Sequence, residues 1–130
     1  TGAEEDLNNL SLLMKFTYGK STFLTSGDLY RDKERELIAR YGEALKADVM
    51  KANHHGAHTS NSMEWVDAIC PSVIYACADD MGSTPFAWKM KAKHIRYYST
   101  CLNDLLCIRL DAEKHVEVMP RFDRKGLGLL

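Results

Sequence analysis

Two short apolar runs, each emptying into a polar loop that contains glycine, restrict this chain more than any other feature. Ser21–Thr25 ends in Ser26-Gly27-Asp28, and the run around Val49 and Met50 ends in Asn53-His54-His55-Gly56. Between them Tyr30 and, within the charged stretch Arg31–Tyr41, Leu37, Ile38 and Tyr41 fall at helical spacing, and Gly42 is placed to end it. Strand, acidic loop, amphipathic helix, strand and histidine loop, in that order, describe a β-α-β unit. Loops beyond the carboxyl ends of strands are where open α/β sheets bind ligands, so Asp28 and His54/His55 are expected to converge at one edge.

The rest of the chain extends this pattern. Residues 10–17, rich in apolar and β-forming types, and Ser21–Thr25 flank Tyr18-Gly19-Lys20 and read as a β-hairpin. Asn61 with Glu64 three positions on reads as a capping box for a helix carrying Met63, Trp65, Val66 and Ile69, which Pro71 stops. Residues 72–78 read as a buried strand, 79–85 as a loop and 86–93 as a helix. Arg96–Ser99 and residues 105–110 and 115–119 read as short strands. The expected fold class is α/β (α+β), a mixed sheet with helices on one face, in a single domain over residues 1–130.

Composition narrows the function classes. With 45% hydrophobic residues and 17 basic against 18 acidic side chains, the chain buries a core and is not globally disordered. The formal charge of −1 gives no global electrostatic case for a nucleic-acid or membrane partner. Lys89, Lys91, Lys93 and Arg96 form the densest positive run, which reads first as a solvated helix face and second as a nucleic-acid contact. No apolar run approaches the roughly 20 residues that span a bilayer, and no signal peptide is expected. The 4 cysteines, Cys70, Cys77, Cys101 and Cys107, form no CxxC pair, which argues against a disulfide framework or a cysteine zinc site. Most sit in apolar contexts and are expected to be small buried hydrophobes, as suits a reducing, cytoplasmic compartment.

Taken alone, the polar loops have ordinary explanations. Asp28 reads as a helix N-cap, and paired histidines in a polar loop are commonly solvated. Neutral imidazole is also the commonest metal ligand and a proton shuttle near neutral pH, and His54, His55 and His58 fall within five positions.

Read together, Asn8-Asn9-Leu10-Ser11-Leu12-Leu13, Phe23-Leu24-Thr25-Ser26-Gly27-Asp28-Leu29 and Ala47-Asp48-Val49-Met50-Lys51-Ala52-Asn53-His54-His55-Gly56 resemble the second half of a metallo-β-lactamase-fold domain. The branch is that of ComEC-type competence proteins and related hydrolases, with N-x-S-L-V-L, L-L-T-G-D and A-D-V-L-K-V-P-H-H-G-S. The resemblance spans about residues 8–119. It implies half of a four-layered αββα sandwich and a metal-dependent, zinc-type hydrolase acting on phosphodiester or other ester bonds. At the matching positions, Asp28 would bridge two metals and His55 would ligate one. His54 would be the neighbour that contacts substrate or assists catalysis, and the two histidine roles are interchangeable at this stage. Lys51 would meet an anionic substrate, or else face solvent. Asn8 or Asn9 stands where other branches carry a ligand histidine.

The family's H-x-H-x-D-H ligand motif is not in this sequence, so the chain by itself is expected to be inactive and to need the missing N-terminal half as partner. Met81-Gly82-Ser83-Thr84-Pro85 lacks the histidine of the family's Y-G-H-P segment, Asn53 replaces its proline, and Ala57 its serine. These departures support an alternative, a degenerate, non-catalytic scaffold or interaction domain. A half-domain is also expected to leave a sheet face bare, with Leu12, Met14, Phe23 and Ile74 on it, and to bury that face in a homodimer.

Overall fold

A computed structural model describes residues 7–79 and 84–121. Strands β1 (Met14–Tyr18), β2 (Ser21–Thr25), β3 (Val49–Lys51), β4 (Val73–Ala76) and β5 (Arg96–Ser99) form one sheet in chain order. β1 and β2 are antiparallel, and β2 through β5 run parallel. Helices α1 (Arg31–Tyr41), α2 (Met63–Ile69) and α3 (Thr84–Ala92) are the crossovers, and a one-turn helix α4 (Thr100–Asn103) follows β5. A separate hairpin pairs β6 (Leu106–Leu110) with β7 (Val116–Pro120). This is the mixed α/β sheet that the alternation of patterns requires.

Crossovers between parallel strands share one hand, so strands laid side by side in chain order put every connecting helix on the same face. The principal core forms there. Leu24, Met50 and Ile74 from the strands pack with Trp65, Val66 and Ile69 of α2 and Phe86, Ala87 and Met90 of α3, while Leu37 and Ile38 of α1 close over them. On the opposite face Val49, Val73 and Tyr98 are joined by Phe23 and Tyr75 and roofed by Leu106, Ile108, Leu110, Val116 and Val118 of the β6–β7 hairpin.

The sheet face opposite the helices is therefore not bare. Side chains alternate across a strand, so Ile74 points into the helix-side core while its neighbours Val73 and Tyr75 face the hairpin. Among the described residues the β1 margin of this face stays open, with Met14, Phe16 and Tyr18 exposed and Phe16 stacked on Phe23 at 5.8 Å between ring centroids. Leu12, just before β1, is exposed as well.

Other differences have local causes. The cap of α2 is Ser62, whose Oγ accepts from Trp65 N at 3.2 Å; Asn61 is diverted into a buried network described below. Cys70, Cys77 and Cys107 are exposed and Cys101 is half-buried. Cys70 is the left-handed C-cap of α2, and Cys107 falls on the solvent side of β6. None of the four is disulfide-bonded to another. Among the described residues no helix is long and apolar enough to cross a membrane.

Candidate functional site

The loops after β2, β3 and β4 meet at the carboxyl edge of the parallel sheet. Asp28 follows β2 and does not cap α1: the cap position is Tyr30, with no side-chain cap hydrogen bond. Its backbone N–H donates to Ser11 Oγ at 3.0 Å, and Ser11 Oγ donates in turn to Asn8 O at 2.6 Å. The chain passes so close there that a Cβ on Gly27 would lie 2.7 Å from Ser11 Oγ. A side chain at that position would have to displace the Ser11 hydroxyl that holds Asp28 N, and the Asp28 carboxylate is left unspent by the helix.

After β3, residues Asn53–Gly56 make a single tight turn in which His54 (φ 48) and His55 (φ 56) are both left-handed. That conformation costs about 1 kcal/mol or more for each such residue, so the surroundings must hold it. Its effect is to send the two rings in different directions, with centroids 6.2 Å apart and planes tilted by 59°.

His55 turns toward Asp28. Its Nδ1 lies 2.7 Å from the carbonyl oxygen of Cys77, in the loop after β4. A carbonyl can only accept, so Nδ1 carries a proton, and the one neutral tautomer compatible with this contact has its lone pair at Nε2. That Nε2 stands 3.8 Å from Asp28 Oδ1, too long for a hydrogen bond and wider than the roughly 3.3 Å between two ligand atoms of one tetrahedral zinc, so the pair would have to close to share a cation. A backbone carbonyl fixing the tautomer of a histidine is the usual support of a metal-ligating imidazole.

His54 turns away. Its ring meets Tyr30 edge-on at 5.3 Å, and its Nδ1 lies 3.4 Å from Thr59 Oγ1. Asn8 Nδ2 donates to the Tyr30 hydroxyl at 2.9 Å, and Tyr30 N donates to Asn9 Oδ1 at 3.0 Å. The two asparagines thus brace the start of α1. Lys51 is half-buried rather than solvent-facing; its Nζ donates to the carbonyls of Ser26 and Ala52, both at 3.2 Å, and keeps one further N–H. His58 is exposed.

Beneath the two loops lies a buried network that the sequence did not announce. Glu34 of α1, 0% exposed, accepts from Asn53 Nδ2 at 2.9 Å, Asn61 N at 2.5 Å and Ser62 N at 3.0 Å. Asn53 N donates to Asn61 Oδ1 at 2.7 Å, and Asn61 Nδ2 returns a bond to Asn53 O at 2.8 Å. Ser26 Oγ donates to Asn53 Oδ1. Glu34 stands in the run Arg31-Asp32-Lys33-Glu34-Arg35-Glu36, where nothing distinguishes it from its exposed neighbours; only its α1 position against Asn53 and Asn61 does.

Among the described residues no three histidine, cysteine, aspartate or glutamate side chains gather as a metal centre. Of Met81-Gly82-Ser83-Thr84-Pro85, residues 81–83 lie outside the described residues.

No protein-family model matches the chain. It is similar to "Uncharacterized protein YcaI" of Escherichia coli (strain K12), at 25% identity over 96 residues, covering 74% of this chain and 12% of that protein. It is also similar to "Competence protein ComA" of Neisseria gonorrhoeae, at 34% identity over 71 residues, covering 55% and 10% of the two chains. "ComE operon protein 3" of Bacillus subtilis (strain 168) is 33% identical over 71 residues, covering 55% and 9%. The chain spans about a tenth of the length of these curated relatives.

Proposed function

We propose that this chain is the C-terminal part of a metallo-β-lactamase-like, metal-dependent hydrolase for phosphodiester or other ester bonds, related to competence proteins. The observation that carries the reading is the fixed His55 ring: Nδ1 held by the Cys77 carbonyl and Nε2 opposite Asp28 Oδ1 at 3.8 Å. The donor set, one imidazole nitrogen and one carboxylate, fits zinc, and Asp28 and His55 would be two of its ligands. A divalent cation supplies Lewis acidity and brings the pKa of a water toward neutrality for attack on an ester.

The chain's own residues have distinct duties in this reading. Asp28 balances cationic charge. His55 offers a neutral nitrogen in one tautomer. Lys51, with an N–H left over after its two carbonyls, attracts an anionic substrate, and His54, backed by Tyr30, contacts substrate or carries a proton. A catalytic zinc site takes about three protein ligands plus water, so the remainder comes from an N-terminal partner half, and the chain alone is inactive.

Zinc titration of the 130-residue chain tests this. Weak binding, poorer than about micromolar, is expected, and either Asp28→Ala or His55→Ala removes it. If a longer protein containing this chain binds no metal, the hydrolase reading fails and the non-catalytic scaffold takes its place.

A further inference from the structure

We propose that Glu34 is a positioning residue for the Asp28–His55 pair, because its buried carboxylate clamps both ligand-bearing loops through Asn53 and Asn61. The ligand sense of this proposal rests on the metal reading above; the geometric sense does not. Asn53 lies two positions before His55, and Ser26 lies two before Asp28. The Asn53 amide joins these points: its Nδ2 donates to Glu34 Oε1 at 2.9 Å, while its Oδ1 accepts from Ser26 Oγ. On the far side of the histidine turn, Asn61 N donates to Glu34 at 2.5 Å, and Asn61 Oδ1 accepts from Asn53 N at 2.7 Å. One carboxylate therefore holds the entry and the exit of a segment in which His54, His55 and Asn61 itself are left-handed.

The chemistry of the clamp is specific. Every group approaching Glu34 is an N–H donor, from Asn53, Asn61 and Ser62, so both oxygens must accept. A glutamine has one accepting oxygen and one donating NH2, and must point that NH2 at a donor. Asn53 Nδ2 and Asn61 N share Oε1 and Ser62 N takes Oε2, so the glutamine releases either that shared anchor or Ser62, the residue after Asn61 at the exit of the turn. The turn is then free to relax toward ordinary negative φ, which carries the His55 ring away from Cys77 O. An aspartate keeps two acceptors on a shorter stem and should restore part of the contact.

Two readouts test this in the 130-residue chain, both compared in native, Glu34→Gln, Glu34→Asp and Ile69→Val proteins. The first uses no metal: nitrogen NMR shifts of the His55 ring report its tautomer, and one-bond Cα–Hα couplings separate positive from negative φ at His54 and His55. The second is zinc affinity. In folded Glu34→Gln, the His55 tautomers should mix, the positive-φ couplings should be lost, and zinc binding should fall about tenfold or more, the usual effect of removing a support behind a ligand. Glu34→Asp should recover part of each. Ile69→Val, a core truncation away from the turn, should move neither.

Unchanged tautomer and couplings in folded Glu34→Gln overturn the proposal, and so does the same change in Ile69→Val. If Glu34→Gln does not fold, Asn53→Ala, which removes only the side-chain link, is judged by the same readouts. If the native chain binds zinc no better than His55→Ala, the metal reading falls, while the NMR readout still decides whether Glu34 sets the turn.

Discussion

The Tyr75 hydroxyl is pushed up to about 12 by burial, with the neighbouring Cys77 a smaller contribution. Tyr75 stacks on Phe23 at 6.2 Å on the hairpin side of the sheet. An unfolded chain releases this proton near 10.0 and the folded chain only near 12. In that interval the unfolded state binds fewer protons, so stability present below it declines as pH rises through it. Urea midpoints taken across the window should fall less steeply in Tyr75→Phe than in the native chain. Identical slopes would sink the assignment. At this scale the sequence revealed side chains and hid backbone. Asp28 and His55 stood out because they end apolar runs in order. The Cys77 carbonyl that fixes His55 has no residue identity to read, and the burial of Glu34 comes from what α1 packs against.

Elements were legible wherever local chemistry decided them. Arg31–Tyr41 and Arg96–Ser99 are α1 and β5 with the expected bounds, and Gly42, at φ +47, closes α1. The start of α2 shifted by one residue because Asn61, a good cap in isolation, is claimed by Asn53 and Glu34, leaving Ser62 to cap. A long-range contact of this kind also governs the β1–β2 turn. Gly19 sits at φ +58, and a Cβ there would lie 2.6 Å from both Cβ and O of Ala112, in the β6–β7 loop. Lys20 N donates to Ala112 O at 2.8 Å and Lys114 N to Ser21 Oγ at 3.0 Å, so the two hairpins are fastened at their tips. Gly19→Ala must strain the turn and push the tips apart. A loss of at least about 1 kcal/mol is expected in urea denaturation, since alanine at positive φ costs more than the gain from its stiffer unfolded chain. A neutral result would mean the tips are not in contact in solution.

For the whole molecule, the sheet has two apolar faces and only one set of helices. Strand order forces α1, α2 and α3 onto the same side, which leaves Phe23, Val49, Val73, Tyr75 and Tyr98 to be covered by something else. Periodicity identified β6 and β7 as strands, but it carries no signal that they form a separate two-stranded layer lying across the first sheet. The resemblance to half of a domain implied a bare face, whereas the hairpin roofs most of it and leaves the β1 margin of Met14, Phe16 and Tyr18 open. A chain ending at Asn103 tests this division. Without the hairpin, the aromatic and β-branched side chains of that face meet solvent as one patch, the condition under which soluble proteins associate. The shortened chain should bind a hydrophobic dye more strongly and sediment as larger species than the full chain at equal concentration. Both should retain the far-ultraviolet circular dichroism of the helices, because the α1–α3 core lies on the other face. A shortened chain that matches the full one in dye binding and sedimentation would show that the hairpin does not cover the sheet.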